Sequence, residues 1–195
     1  MTDMTLDLGP QTRVVARLAE AVTDEQLSAP TPCPEMAVRN LLGHLLGLSL
    51  AFRDAGRKDL GPMTDTDPGS ALPDVGPGWR EELPKALDEV AEVWRTPDAW
   101  TGMTRAGGLD LPGAVAGAVA VDELVIHAWD LAVATGQPYT PDPAALQMSY
   151  DFLRAAAAEE DRGGGIFGPV VPVPDEAPLL DRAVGLSGRA PEWTP

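Results

Sequence analysis

Between Pro112 and Gly136 the chain reads Gly-Ala-Val-Ala-Gly-Ala-Val-Ala-Val-Asp-Glu-Leu-Val-Ile-His-Ala-Trp-Asp-Leu-Ala-Val-Ala-Thr. Pro112 suits a first helical turn, and Gly136 suits a left-handed cap. The slim residues of its first half allow neighbouring helices to approach closely, so this segment is expected inside a helical bundle. Glu123 and His127 lie four residues apart in it, which sets them one above the other on a single face. The stripe they share runs through Val119, Ile126 and Leu131, so the carboxylate points at an apolar interior. An unpaired charge there costs several kcal/mol or is neutralised. Something must compensate it.

The second histidine of the chain, His44, falls in Val38-Arg-Asn-Leu-Leu-Gly-His-Leu-Leu-Gly-Leu. Leu41 and Leu48 share its stripe at helical spacing, so its ring is also directed inward. His44, Glu123 and His127 together have the outline of a mononuclear metal site. Two plainer readings stay open at this level: each histidine can be a hydrogen-bonded core residue, and Glu123 with His127 can be a structural ion pair. The spacing does exclude some sites. The H-E-x-x-H signature of zinc peptidases is absent. The carboxylate di-iron bundles need two Glu-x-x-His motifs, whereas here the spacing is one residue longer and occurs once.

A chain of 195 residues fits one domain with a sizeable core. Cys33 is the single cysteine, so neither a disulfide framework nor a cysteine-based zinc site can be built within one chain. The N-terminus lacks a basic region followed by an apolar run, and no stretch approaches eighteen uncharged apolar residues. A cytoplasmic protein that neither spans a membrane nor is exported is expected. The net charge of −16, spread over the whole length, repels nucleic acid and anionic lipid.

Helical periodicity predicts a first helix over about Gly9–Val22, with a short turn from Thr23-Asp24. Three alternating prolines keep Ser28–Glu35 from being helical and deliver the chain to a second helix near Met36–Arg53. From Gly56 to Gly78 the composition is that of a long surface connection. A third helix fits Trp79–Trp94, and a polar, glycine-containing stretch then runs to Leu111. A fifth helix begins near Asp142 and ends before Gly163. Beyond it, Ile166–Pro174 suits an extended edge segment, and a short helix closes the chain from Ala177 to about Leu186. The expected architecture is all-α: a metal-binding four-helix bundle over 1–162, with a C-terminal extension over 163–195 packed on the same domain.

Thr31-Pro-Cys-Pro-Glu-Met-Ala-Val-Arg-Asn-Leu-Leu-Gly-His and Asp122-Glu-Leu-Val-Ile-His-Ala-Trp-Asp-Leu-Ala resemble the paired motifs of the mycothiol-dependent maleylpyruvate isomerase N-terminal domain group. That group belongs to the DinB-like metal-binding bundles. The ending Gly185-Leu-Ser-Gly-Arg-Ala-Pro-Glu-Trp is similar to the close of its short actinobacterial members. The resemblance implies one divalent metal on His44, Glu123 and His127, with mycothiol as co-substrate. Met36 stands where the family pattern usually has Trp, and Asn40 where Asp is common. Only about thirty residues follow the fifth helix, where the full isomerases carry a separate domain. The resemblance therefore points to thiol chemistry more than to maleylpyruvate isomerisation itself.

Two imidazoles and one carboxylate leave a divalent ion with open positions, the pattern of a catalytic site. Nitrogen and oxygen donors suit zinc, nickel, iron or cobalt, with zinc the default. A small thiol held there would be deprotonated for attack on a small electrophile, which makes a metal-dependent thiol transferase or isomerase the leading expectation. A metal-dependent hydrolase uses the same site. A non-catalytic, metal-stabilised binding or regulatory protein is the alternative from another class, and it requires a closed four-ligand site. A zinc anti-sigma factor would ordinarily use cysteine ligands, and the single Cys33 argues against it. Asp130, three residues after His127, is placed to hold an imidazole, although capping or a surface ion pair would suit it nearly as well. Cys33 reads as a small buried residue rather than a reactive one. Trp129 and Trp193 receive no role, and both a monomer and a homodimer fit the sequence.

Overall fold

In the computed structural model, residues 5–34, 36–67, 70–158 and 167–195 are described. Four helices pack in a ring: α1 (Gly9–Glu20), α2 (Val38–Arg57), α4 (Trp79–Trp94) and α6 (Gly113–Thr135). Around it, α1 touches α4 and α6, and α2 touches the same two. Outside the ring, α7 (Pro143–Ala157) covers α6, and α8 (Leu179–Leu186) packs on α7. Two single-turn helices, α3 (Pro62–Asp65) and α5 (Pro97–Trp100), sit in the connections. No described helix is long and apolar enough to cross a membrane.

Residues of α6 are buried on every side, which its small side chains make feasible. Gly117 lies so close to Trp100 that an added Cβ would stand 2.4 Å from the indole. Gly113 meets the Ala99 carbonyl in the same way, at 2.5 Å. α5 therefore presses its tryptophan onto bare helix backbone, and the Trp100 indole N–H donates to the Trp94 carbonyl at 2.8 Å. Gly136 takes the left-handed cap expected of it, at φ +67°.

Three boundaries differ from expectation, each for a local reason. α2 starts at Val38 rather than Met36, because Ala37 is extended and the Asn40 side chain accepts from its N–H at 3.0 Å. Glu35 lies outside the described residues. The same helix runs on to Arg57, since Gly56 is a packing glycine: a Cβ there would meet Val93 at 2.6 Å. Lys58, in the left-handed conformation at φ 60°, closes the helix. The stretch read only as polar and glycine-containing before Leu111 is an antiparallel hairpin, β1 (Met103–Ala106) with β2 (Leu109–Pro112). Its two-residue turn is Gly107-Gly108, both at positive φ (59° and 78°), as a twist-matched hairpin turn requires.

The first half of the expected fifth helix is capped by Asp142, whose carboxylate accepts from the N–H groups of Ala144 and Ala145. The expected division near residues 162 and 163, and Ile166, lie outside the described residues. Residues 167–174 join no sheet among the described residues; Val171 instead donates to the Gly185 carbonyl at 3.0 Å. Overpacking the α5–α6 contact should be costly. Gly117→Val is expected to lower stability by about 1–3 kcal/mol, read as a lower denaturant midpoint at unchanged slope. An unaltered midpoint would contradict the close approach of Trp100.

Candidate metal centre

α2 and α6 face each other across the bundle, and the apolar stripes that bury them carry the three candidate residues to one point. Leu41 and Leu48, which flank His44 on its stripe, are both buried. From α2 the His44 Nε2 reaches Glu123 Oε2 at 3.1 Å. From α6 the His127 Nε2 reaches the same oxygen at 3.0 Å. The two rings meet edge to face, with centroids 4.7 Å apart. One donor atom from each of the three residues lies within 4.8 Å of the others. The side chains of His44, Glu123 and His127 are 14%, 24% and 11% exposed, so the cluster is sheltered and still open on one side.

This cluster answers the question posed by a carboxylate on an apolar helix. Burial by itself would raise the Glu123 carboxyl, but hydrogen bonds from His127 and His44 outweigh it and hold the group well below the usual carboxylate range. His127 shows the converse. Burial would lower its imidazole, and the partnerships with Asp130 and Glu123 push it up to about 9 instead.

Behind His127 stands a second carboxylate, fully buried. Its Nδ1 meets Asp130 Oδ2 at 2.9 Å, which fixes the ring and leaves Nε2 aimed at the cluster. Asp130 is in turn clasped by Arg189: Nε donates to Oδ1 at 2.7 Å and Nη2 to Oδ2 at 2.8 Å. Such a two-pronged contact is the strongest form of carboxylate pairing and compensates a carboxylate that burial would otherwise raise. Arg189 was given no role by sequence reasoning. It lies 59 residues from Asp130, and no local spacing links the two. Only the quoted Gly185-to-Trp193 ending marked its neighbourhood.

Cys33 sits in the loop before α2, within ligand distance of His127 and Asp130 but not grouped with His44 and Glu123. Burial pushes its thiol up to about 11, with Arg189 acting in the opposite sense, which disfavours the thiolate at neutral pH. Thr31 ties this loop together, its hydroxyl donating to the Met36 carbonyl at 2.8 Å. Asn40 donates to the Pro73 carbonyl at 2.8 Å and so anchors the long connection that follows α2. Asp122, adjacent to Glu123, turns the other way and accepts from Ser149 on α7 at 2.6 Å. Burial pushes its carboxyl up to about 7. Neighbouring acids thus divide between cluster and scaffold. Trp129 is buried and Trp193 packs against the core, as structural aromatics do.

The family model of the mycothiol maleylpyruvate isomerase N-terminal domain matches residues 8–132. The chain belongs to this family. The matched segment contains the whole cluster and Asp130, whereas Arg189 lies beyond it. Two uncharacterized proteins from two strains of Mycobacterium tuberculosis are each 29% identical over 176 residues, covering 89% of this chain and 91% of theirs. Among solved structures, a mycothiol-dependent maleylpyruvate isomerase superposes with a TM-score of 0.60 over 93% of this chain and 86% of that one. Its identity is 17%, so the likeness is one of fold. The predominantly helical, DinB-like bundle expected from the sequence is therefore the architecture found, with the small hairpin added to it.

If Asp130 and Arg189 hold His127 in register, loosening them should weaken metal binding without unfolding the chain. Asp130→Asn and Arg189→Ala are expected to lower cobalt affinity about 10–100-fold while the helical circular dichroism is retained. Wild-type affinity in both variants would show that the ring needs no such support.

Proposed function

We propose that the protein is a metal-dependent thiol-handling enzyme, a transferase or isomerase that joins a small thiol to a small electrophile. The observation that carries this reading is the convergence of His44, Glu123 and His127 from two helices onto one point that remains partly open. His44 and His127 would hold the ion through Nε2, and Glu123 through a carboxylate oxygen. The donor set fits: two imidazoles and one carboxylate leave coordination positions unfilled by protein, and they suit a borderline divalent ion, zinc by default. When bound there, such an ion supplies Lewis acidity that lowers the pKa of a thiol, or of water, sharing the site.

The chain's own groups do the rest. Asp130 accepts from His127 and fixes which ring nitrogen faces the site, and Arg189 fixes Asp130. Leu41, Leu45, Leu124 and Leu131, on the same two helices, are buried, so a ligand would enter where the cluster itself is partly exposed. Cys33 groups with His127 and Asp130 rather than with His44 and Glu123, which leaves the thiol to come from outside. Family membership supports mycothiol as that thiol, and a cytoplasmic setting is part of the same reading. A purely structural clamp would close the site with a fourth protein ligand. Among the described residues, no fourth cysteine, histidine or carboxylate joins this trio.

Metal analysis of untagged protein purified without chelator tests the reading. About one divalent ion per chain is expected, lost in His44→Ala and in His127→Ala, with the visible spectrum of the cobalt form shifting when thiol is added. Stoichiometric metal whose cobalt spectrum ignores thiols would favour the clamp, and absence of metal would sink both. Chelation is expected to leave the helical circular dichroism in place, because a continuous cluster of buried apolar residues drawn from all four helices holds the bundle together.

A further inference from the structure

The α1–α4 side of the bundle carries a feature with no part in the metal cluster. A cavity of about 480 Å³ lies between the two helices, its apolar lining made of Ala16, Ala19, Pro84 and the largely buried Trp79. Arg13, Arg17 and Arg80 line it, against a single carboxylate, Glu20. In a chain with 30 acidic and 14 basic residues, three guanidiniums on one small concavity form a local reversal of charge.

The pairing pattern sharpens this. Arg80 pairs with Asp24 at 2.7 Å and lies 4.4 Å over the Trp79 ring, which holds its guanidinium at the cavity. Arg13 and Arg17 form no ion pair among the described residues, although carboxylates outnumber cations about twofold. They stand four apart on one face of α1, a spacing at which like charges repel. Near Arg13, a Cβ on Gly9 would lie 2.7 Å from Arg95 Nη2, 3.0 Å from Asp7 Oδ1 and 3.2 Å from Arg13 Nη1, so a fourth guanidinium comes close to it together with one carboxylate. Arg95 is held by Asp7. Unpaired like charges gathered around an apolar lining are stabilised by an anion that brings its own apolar surface. Guanidinium forks match the paired oxygens of carboxylate and phosphate, and the volume is that of a small-molecule site.

We infer that the α1–α4 groove is a second binding site, for a small amphipathic anion whose carboxylate or phosphate meets Arg13, Arg17 and Arg80 and whose apolar body lies on Trp79 and Pro84. The site is independent of the metal cluster, and its occupancy does not depend on the reading of that cluster.

Isothermal titration of the full chain with phenyl phosphate, benzoate and neutral benzyl alcohol tests the inference, the first two separating phosphate from carboxylate. Saturable binding of at least one anion, with none of benzyl alcohol, is expected. The Arg13→Gln/Arg17→Gln double variant should bind at least about tenfold more weakly. Both arginines are exposed, so the double variant keeps its fold. Arg39→Gln, which removes a guanidinium paired with Asp74 elsewhere, and His44→Ala should both bind as wild type does. No saturation by either anion, equal affinity in the double variant, binding of benzyl alcohol to match, or loss in His44→Ala would each overturn the site.

Discussion

The carboxylate of Glu123 governs the design of this molecule. It sits on α6, the helix with buried residues on every side, where an unpartnered charge would destabilise the fold. Two imidazoles from two helices converge on one of its oxygens, at 3.0 and 3.1 Å, and neutralise its cost. The contact joins α2 to α6 across 79 residues of sequence, at the point to which their apolar stripes bring them. The glycines of α6 let α5 and its tryptophan close in without pushing that contact apart.

Outward from Glu123 the electrostatics alternate in sign. The carboxylate is followed by His127, then Asp130, then Arg189, each within hydrogen-bonding distance of the next. A chain of this kind polarises along its length, so each group strengthens its neighbours' preference for the charged form. It also joins the C-terminal segment to the centre of the bundle. Arg189 follows α8, outside the span that the family model matches, yet its guanidinium reaches a carboxylate one step behind a candidate ligand. The bundle and the final residues therefore form one electrostatic unit at this point.

Much of this was legible in the sequence, for reasons that are physical. His44, Glu123 and His127 could be aimed inward because each shares a stripe with leucine, isoleucine or valine, and the helical period is insensitive to small errors in helix ends. The same period put Asp130 on the His127 side of the helix but left its role open between holding the imidazole, capping and a surface ion pair. What escaped the sequence was what depends on contacts between distant residues. Gly56 looked like the start of a loop and is a point of close approach to Val93 and Trp94. The hairpin was hidden because β1 and β2 are four residues each and too short for alternation to show, although Gly107-Gly108 was the available signal. Arg189 had no periodic context to mark it.

X-ray absorption at the metal edge, on protein loaded with one equivalent of zinc, bears most directly on the central claim. The account predicts a shell of nitrogen and oxygen donors with two imidazoles and no sulfur, into which one sulfur enters at about 2.3 Å when a small thiol is added. A sulfur already present without added thiol, contributed by Cys33, or a filled shell that added thiol leaves unchanged, would contradict it.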